Sequence, residues 1–198
     1  MPISTLLRTR RQKEKEALKK KILTVAKRIA IKEGWNSVTI RRIAAEISYS
    51  LPVIYSHFKD KAEIIYLIAN EGYDKLMTEL SAAVESDDRD LKTELLNYCE
   101  AYYKFGVENP AIYHAMYGQN YTDQTNVSSE QANRVYNFLV EKIKPSTDSA
   151  KSCLELIWAN VHGLVSLTHL NKVSSTKIDS QDYLNRLVDA YTPAIAGR

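Results

Sequence analysis

The sequence predicts an all-α fold of about nine helices, divided into a small N-terminal head and a larger C-terminal helical domain. Apolar residues recur at intervals of three and four along most of the chain, and no segment shows the alternation of a half-buried strand. Glycine and proline are scarce, at 6 and 5 of the 198 residues, which disfavours a loop-rich chain. Charge is unevenly divided. Residues 1–61 hold 15 Lys and Arg against 5 Asp and Glu, and the remaining 137 residues hold 12 against 19.

The composition also limits the classes of protein. No apolar run reaches the roughly 18 residues that span a membrane, and the basic N-terminus lacks the apolar core of a signal peptide. Cys99 and Cys153 follow no metal-binding or redox spacing, so we expect reduced core residues. We therefore expect a soluble cytoplasmic protein that makes no contact with a membrane. A basic helical head on an acidic helical body is typical of a polyanion-binding protein with a separate second task.

The head is predicted to contain three helices. Helix 1 covers about residues 13–33 and ends before Gly34, a natural C-terminal stop. Thr39 and Ser50 are good N-caps for helices 2 and 3, and Pro52 suits the first turn of helix 3 because its missing N–H is not needed there.

The body is predicted to contain six helices. Helix 4 begins near residue 60, and helix 5 ends near residue 107. The others cover about residues 110–118, 128–144, 147–171 and 180–192.

Helices 2 and 3 form a helix-turn-helix, in which the second helix presents its N-terminal residues to base edges. Ile54 and Phe58 are placed to anchor helix 3 to the head, while Leu51, Val53 and Tyr55 face outward. Tyr55 and His57 carry polar tips that can donate to phosphate oxygens, and Lys59 and Lys61 add positive charge beside them. Phosphate contacts of this kind set the register of a protein on DNA.

The head resembles the TetR family of transcriptional regulators. The resemblance covers residues 22–65 and includes ILTVAKRIAIKEGWNSVTIRRIAAEI followed by S-x-x-x-IYSHFKDK. It implies phosphate contacts from Thr39, Tyr55, His57 and Lys61, and base contacts from early helix 2 and the start of helix 3. The expected DNA-binding residues are Thr39, Arg41, Arg42, Ser50, Leu51, Pro52, Val53, Tyr55, His57, Lys59 and Lys61.

The head departs from the family pattern in two ways. Ser48 occupies a turn position that is usually Gly, so we expect an unusual or strained backbone there. Leu51 and Val53 replace polar residues and can contact thymine methyl groups but cannot form bidentate hydrogen bonds. We therefore expect Arg41 or Arg42 to carry more of the recognition, assisted by a disordered basic arm whose Arg8, Arg10 and Arg11 enter a minor groove.

The body contains an unusual concentration of aromatic residues. Trp158-x-x-x-His162-Gly163, together with YYKFGVENPAIYHAMY, resembles a TetR subgroup with a Trp–His–Gly regulatory domain, which implies effector binding. An aromatic-walled cavity suits a flat or hydrophobic organic molecule, cationic ones included. The alternative is that these side chains are ordinary core. We expect no cofactor or metal besides a small organic effector of unknown identity. The expected pocket residues are Tyr98, Tyr102, Phe105, Tyr113, Met116, Tyr117, Trp158 and His162.

Helices 8 and 9 are candidates for a homodimer interface. Helix 8 is apolar on nearly every side, which indicates neighbours on both flanks, and its small residues permit close approach of another helix. We expect pairing with the symmetry mates in a four-helix interface, with burial inside one subunit as the alternative. The expected interface residues are Ala159, Gly163, Ser166, Leu184, Leu187, Val188 and Tyr191.

The sequence as a whole predicts a homodimeric DNA-binding regulator, most simply a repressor released from a palindromic double-stranded operator by its effector. Residues 1–60 form the DNA-binding domain, and residues 61–198 bind the effector and dimerise. Three alternatives stay open: a non-specific architectural protein, an enzyme built in the helical body, and a ligand-binding module whose head has lost DNA binding. The chain lacks a phosphate loop, HExxH, CxxC and GxSxG motifs, which disfavours the enzyme.

Overall fold

The computed structural model describes residues 3–84, 90–118, 127–170 and 179–197. Nine α-helices and a 3₁₀ turn, with no strand, form the regular structure of these ranges, and the all-α prediction is confirmed. None of the helices in these ranges is long and apolar enough to cross a bilayer. The elements are α1 (Ile3–Glu33), the 3₁₀ turn (Trp35–Ser37), α2 (Ile40–Ile47), α3 (Leu51–Tyr55), α4 (Lys61–Ala83), α5 (Leu91–Glu108), α6 (Pro110–Tyr117), α7 (Val127–Ile143), α8 (Asp148–His169) and α9 (Ser180–Ile195).

The chain divides into two compact units. The N-terminal unit consists of Met1–Asn70 and Ala111–Gln124, and the C-terminal unit of Glu71–Pro110 and Thr125–Arg198. The segment that begins at Ala111 thus belongs to the unit that contains the helix-turn-helix.

Helix α1 is longer than the sequence predicted. It begins at Ile3, so the expectation of a disordered arm is wrong for Arg10 and Arg11, which lie in the helix; the side chain of Arg8 is outside the described part. The Arg10 Nε donates to Glu14 Oε1 at 2.8 Å, and Gln12 Nε2 donates to Glu16 Oε1 at 2.9 Å. Side-chain pairs four residues apart stabilise a helix, and neither Gly nor Pro interrupts this stretch.

One hydrophobic core joins α1, α2, α3, the first turns of α4 and α6 within the N-terminal unit. Ile54 and Phe58 are almost completely buried in it, as predicted, together with Ile43, and Ala111 and Ala115 of α6 enter the same core. Burying such side chains stabilises by about 1.5–3 kcal/mol each relative to exposure. The unusually short α3 is therefore held in place by the burial of Ile54 and of the following Phe58 in this core.

Trp35 ties two distant parts of this core together. Its indole Nε1 donates to the Ala111 carbonyl at 2.8 Å in a buried hydrogen bond. The sequence did not predict the 3₁₀ turn that carries Trp35, nor this contact across 76 residues. A buried indole N–H needs a partner, and the start of α6 supplies it.

The turn between α2 and α3 has the unusual backbone that Ser48 predicted. Ser48 is left-handed, with φ 60° and ψ 44°. The Ser48 N–H donates to the Ala45 carbonyl at 3.2 Å, and the Tyr49 N–H donates to the Ala44 carbonyl at 3.0 Å. This arrangement ends α2 and satisfies carbonyls that have no partner within the helix.

The two N-cap predictions have different outcomes. Thr39 Oγ1 accepts a hydrogen bond from the Arg42 backbone N–H at 3.1 Å, which confirms the cap on α2. Ser50 stands at the N-cap position of α3, but its side chain forms no capping bond, so that part of the prediction is wrong. Pro52 lies in the first turn as expected and removes one of the donors that a cap would satisfy.

The core of the C-terminal unit is built by α5, α8 and α9. Each of these helices has a side-chain N-cap, from Asp90, Thr147 and Asp179 respectively. Their inward faces are almost entirely apolar or aromatic. The buried residues include Leu95, Tyr98, Cys99, Tyr102, Phe105, Leu154, Ile157, Val161, Leu164, Val165, Leu184, Leu187 and Val188.

Three of the expected dimer residues, Leu184, Leu187 and Val188, are therefore already buried within one protomer. For these three residues the structure shows the alternative, which is burial within one subunit. Ala159 is exposed, and Gly163, Ser166 and Tyr191 are half-buried. Of the expected dimer residues that are not buried, Ala159, Gly163 and Ser166 lie on α8 and Tyr191 lies on α9.

The left-handed Ser48 leads to a stability prediction. We expect Ser48→Gly to stabilise the protein by about 0.5–1 kcal/mol, because glycine adopts this conformation without the penalty that a Cβ atom imposes. Urea denaturation compares the free energies of unfolding. Ser50→Gly is the control: Ser50 has φ −78°, so glycine offers no relief there and is expected to be neutral or destabilising. Equal shifts for both variants would contradict the strain at Ser48.

Candidate functional site

The exposed face of α3 is the centre of the candidate nucleic-acid interface. Leu51 and Tyr55 are 39% and 55% exposed, and Pro52 is also exposed. Ile54 and Phe58 face the opposite way, into the core. The structure therefore brings the expected α3 residues together on one outward surface, with Val53 half-buried at its margin.

The start of α4 lies beside this surface. Asp60 Oδ1 accepts from the Glu63 N–H at 2.9 Å, and Glu63 Oε2 accepts from the Lys59 N–H at 2.6 Å, so the two carboxylates fix the first turn. The Lys61 Nζ donates to the Trp35 carbonyl at 2.6 Å, and burial lowers the pKa of this lysine. Lys61 thus has a structural contact in addition to the phosphate contact that the resemblance implies.

The two arginines at the start of α2 have different surroundings. Arg42 Nη1 and Nη2 donate to the two carboxylate oxygens of Glu33 at 2.6 and 2.5 Å, and Arg42 Nε lies 3.8 Å from Glu46 Oε1. The hydrogen bonds to Arg42 lower the pKa of Glu33, and those to Glu33 raise the pKa of Arg42. Arg41 is exposed. The arrangement therefore makes Arg42 a link between α1 and α2 and leaves Arg41 as the better placed of the two for DNA.

His57 lies two residues after α3, at the C-terminal end of the outward surface of that helix (the recognition surface), and is half-buried. Burial is the main cause of a lowered pKa of the His57 imidazole, and the positive charges of Lys15 and Lys19 on α1 lower that pKa further. The buried Nδ1 atom has no hydrogen-bond partner among the described residues. The sequence did not associate either lysine with the recognition surface.

The expected effector residues fall into the two units. In the C-terminal unit, the Tyr102 hydroxyl lies 3.4 Å from His162 Nδ1, and the Trp158 and His162 ring centroids are 6.2 Å apart. Tyr98 and Tyr102 stack at a centroid distance of 6.3 Å, and Phe105 is buried on the same helix. Burial lowers the pKa of His162. This cluster is aromatic, and the Lys75 Nζ lies 5.7 Å from the centroid of the Phe105 ring.

Two polar atoms of this cluster have no hydrogen-bond partner in the described part of the chain: the Tyr98 hydroxyl, whose pKa burial raises, and the Trp158 Nε1. In the N-terminal unit, Tyr113 and Met116 of α6 are buried, and Tyr113 packs on Tyr117 with ring centroids 4.8 Å apart. A groove of about 550 Å³ on the C-terminal unit is lined by none of the expected pocket residues but by Asp74, Met77, Thr78, Ser81, Ala82 and Arg134.

Comparison with known proteins decides between the classes that this geometry allows. Residues 22–67 match the family of bacterial regulatory proteins described as the tetR family. Residues 95–191 match the family described as tetracyclin repressor-like, C-terminal domain. The chain belongs to the TetR family of transcriptional regulators. It is therefore a DNA-binding regulator and not an enzyme.

Individual relatives agree with this assignment. The HTH-type transcriptional regulator YobS of Bacillus subtilis is 26% identical over 149 residues, which is 75% of this chain and 77% of that protein. The crystal structure of the regulatory protein SCO4313 is similar with a TM-score of 0.77 and 17% identity, over 94% of this chain and 98% of that one. A single-residue variant of TetR from Acinetobacter baumannii, solved in complex with minocycline, has a TM-score of 0.57 and 18% identity, over 89% and 93%. The structural likenesses show a shared TetR fold.

The half-buried His162 leads to a prediction about the pH dependence of stability. Because burial lowers the pKa of His162, the unfolded chain binds this proton more readily than the folded protein. We expect the free energy of unfolding to fall as the pH drops below about 6.5, the ordinary value for histidine, and His162→Gln to reduce that dependence. Denaturation at pH 7.5 and 5.5 measures both. Tyr102→Phe is the control, and it should keep the dependence because burial is the cause. An unchanged pH dependence in His162→Gln would exclude this origin.

Proposed function

We propose that the protein is a homodimeric repressor that binds a palindromic operator and leaves it when a small organic effector binds in its body. Residues 1–60 supply DNA binding, and residues 61–198 supply effector binding and dimerisation. The observation that carries this proposal is the outward face of α3, with Tyr55 exposed and Ile54 buried beneath it, in a chain of the TetR family. Such a regulator acts in the cytoplasm, where bacterial DNA lies.

An apolar stripe on α8 supports the homodimer. Leu156 and Leu167 of α8 are each 47% exposed, and Leu170, the C-cap residue of this helix, is 60% exposed; the opposite face of α8 is the core of the unit. Gly163 lies between them, and nothing stands within 4 Å of the position that a Cβ atom would take. Residues 156, 163, 167 and 170 share one helical face at intervals that suit close packing against another helix. A second copy of α8 is the proposed occupant, with Ala159 and Ser166 at its edge.

A closed homodimer presents its two heads with two-fold symmetry, so the operator is expected to be a palindrome. Its half-sites should lie one helical turn, about 10–10.5 base pairs, apart or a multiple of that distance. Recognition rests on Arg41, with Leu51 and Val53 near thymine methyl groups.

The aromatic cluster of the C-terminal unit supports effector binding. Trp158 Nε1 can only donate a hydrogen bond, so it suits an acceptor such as a carbonyl or phenolate oxygen. The effector class we propose is a flat organic molecule with an oxygen acceptor. The minocycline complex of the Acinetobacter baumannii TetR variant shows that a neighbour of this fold accommodates such a molecule. Membership of the Trp–His–Gly subgroup belongs to the same proposal and rests on Trp158, His162 and Gly163.

The experiment is selection of bound duplexes from a random DNA pool, with Tyr55→Ala/His57→Ala as a parallel variant. The wild-type protein should enrich a palindrome, because a dimer reads two equivalent half-sites. The double variant should lose affinity for all sequences, since both side chains are assigned to phosphates. Arg41→Ala should instead relax the preference at particular positions, by about 1–3 kcal/mol per base pair.

Two controls separate the parts of the proposal. Leu156→Glu/Leu167→Glu interrupts the α8 stripe and should yield single half-sites with weaker binding. Flat aromatic compounds are then screened for release of the selected operator from the wild-type protein. Salt-sensitive binding without any enriched sequence would favour the architectural alternative, which the apolar Leu51 and Val53 keep open.

A further inference from the structure

A second basic surface lies on α1, close to the residues that flank the recognition helix α3, and it contains none of the DNA contacts assigned above. It is formed by the part of α1 around Lys15–Lys21, which packs on the head through the half-buried Leu18 and the buried Ile22. The Lys19 Nζ lies 5.7 Å from the centroid of the Phe58 ring, and the Lys21 Nζ lies 5.6 Å from that of Tyr49.

These two contacts place α1 beside the residues that flank α3. Tyr49 lies two residues before α3 and Phe58 lies three residues after it, so the lysines of α1 reach the segments at both ends of this helix. Lys15 is one turn before Lys19, on the same face of α1. Lysine stems pack along apolar or aromatic surfaces while their ammonium groups stay at the water boundary, where a phosphate can meet them.

The charges of Lys15 and Lys19 act on His57. Both lysines are close enough to His57 to disfavour its protonated form. The nearby carboxylates are engaged elsewhere, since Glu14 pairs with Arg10 and Glu16 accepts from Gln12. No ion pair joins Lys15 or Lys19 to a carboxylate in the described ranges. Two like charges four residues apart destabilise a helix, so the repulsion between Lys15 and Lys19 destabilises α1 in the protein without DNA.

We propose that Lys15, Lys19 and His57 together bind one phosphodiester of the DNA backbone, so that α1 forms a clamp beside the recognition helix. A phosphate supplies the negative charge that this cluster lacks and can accept hydrogen bonds from both ammonium groups and from the imidazole. The helical α1 holds the two lysines in fixed positions, unlike a disordered arm. This inference rests on the proposed DNA binding by the head and adds a contact to it from a different helix.

The test compares Lys15→Gln/Lys19→Gln with Lys13→Gln/Lys20→Gln. Both variants lose two positive charges from α1, but residues 13 and 20 lie on a different side of the helix, about 100–160° around its axis from 15 and 19. Affinity for the selected operator is measured between about 50 and 300 mM salt. For the first variant, the slope of log affinity against log salt should shrink by about 1, the value for one lost phosphate contact. The second variant should retain the wild-type slope.

A double-mutant cycle tests whether the three residues share one phosphate. His57→Ala should reduce affinity severalfold in the wild-type background but have a smaller effect in Lys15→Gln/Lys19→Gln, because the shared contact is already lost. Nuclear magnetic resonance titration of the His57 ring, which needs no DNA, should show a higher pKa in that variant and not in the control.

The outcomes are distinguishable. If the wild-type protein binds DNA and the two lysine variants have the same salt slope and affinity, the clamp is refuted while the proposed function stands. Additive effects of His57→Ala and the lysine substitutions would also refute the shared phosphate. If the wild-type protein binds no duplex at all, the proposed function fails and the clamp fails with it.

Discussion

The constraint on which the rest of the structure depends is the shortness of the recognition helix. Helix α3 has five residues, far fewer than the roughly 12–15 that an isolated helix needs for even marginal stability in water. Its position is therefore imposed by tertiary contacts, chiefly the burial of Ile54 and of the following Phe58 in the head core. The left-handed Ser48 fixes the other end of the turn before α3, since it ends α2 and redirects the chain.

Charge organises the outer face of the head around this core. The Glu33–Arg42 pair joins α1 to α2, and an ion pair between Arg28 and Glu46 spans the same two helices. These carboxylates engage arginines that the composition alone would assign to DNA. The charges of Lys15 and Lys19 on α1 act on His57, which lies two residues after α3, and neither lysine forms an ion pair with a carboxylate of the described ranges. The number of basic side chains that can bind a phosphate is thus smaller than the net charge of the head suggests. Ion pairs within the head determine which basic side chains stay available.

The sequence predicted what depends on neighbouring residues and missed what depends on distant ones. The Thr39 cap, the anchoring of the head by Ile54 and Phe58, and the unusual turn at Ser48 follow from local spacing and backbone preference. The Trp35–Ala111 hydrogen bond and the Arg42–Glu33 pair join residues whose proximity no single-sequence pattern reveals. The stripe of Leu184, Leu187 and Val188 has the same spacing whether its own subunit or a partner covers it, so periodicity cannot separate the two. The sequence predicted a helix α1 that is too short, because a highly charged segment resembles a disordered arm. The hydrogen-bonded side-chain pairs four residues apart, which stabilise the helix there, were not considered.

The central claim is that the outward face of α3 enters the major groove of each half-site, and methylation interference on the selected operator tests it most directly. Methyl groups at guanine N7 lie in the major groove, and those at adenine N3 lie in the minor groove. The account predicts interference from guanine N7 in two patches whose centres lie about 10–10.5 base pairs, or a multiple, apart. Interference confined to adenine N3, or spread evenly along the duplex, would contradict it, because binding would then proceed through the minor groove or the backbone alone.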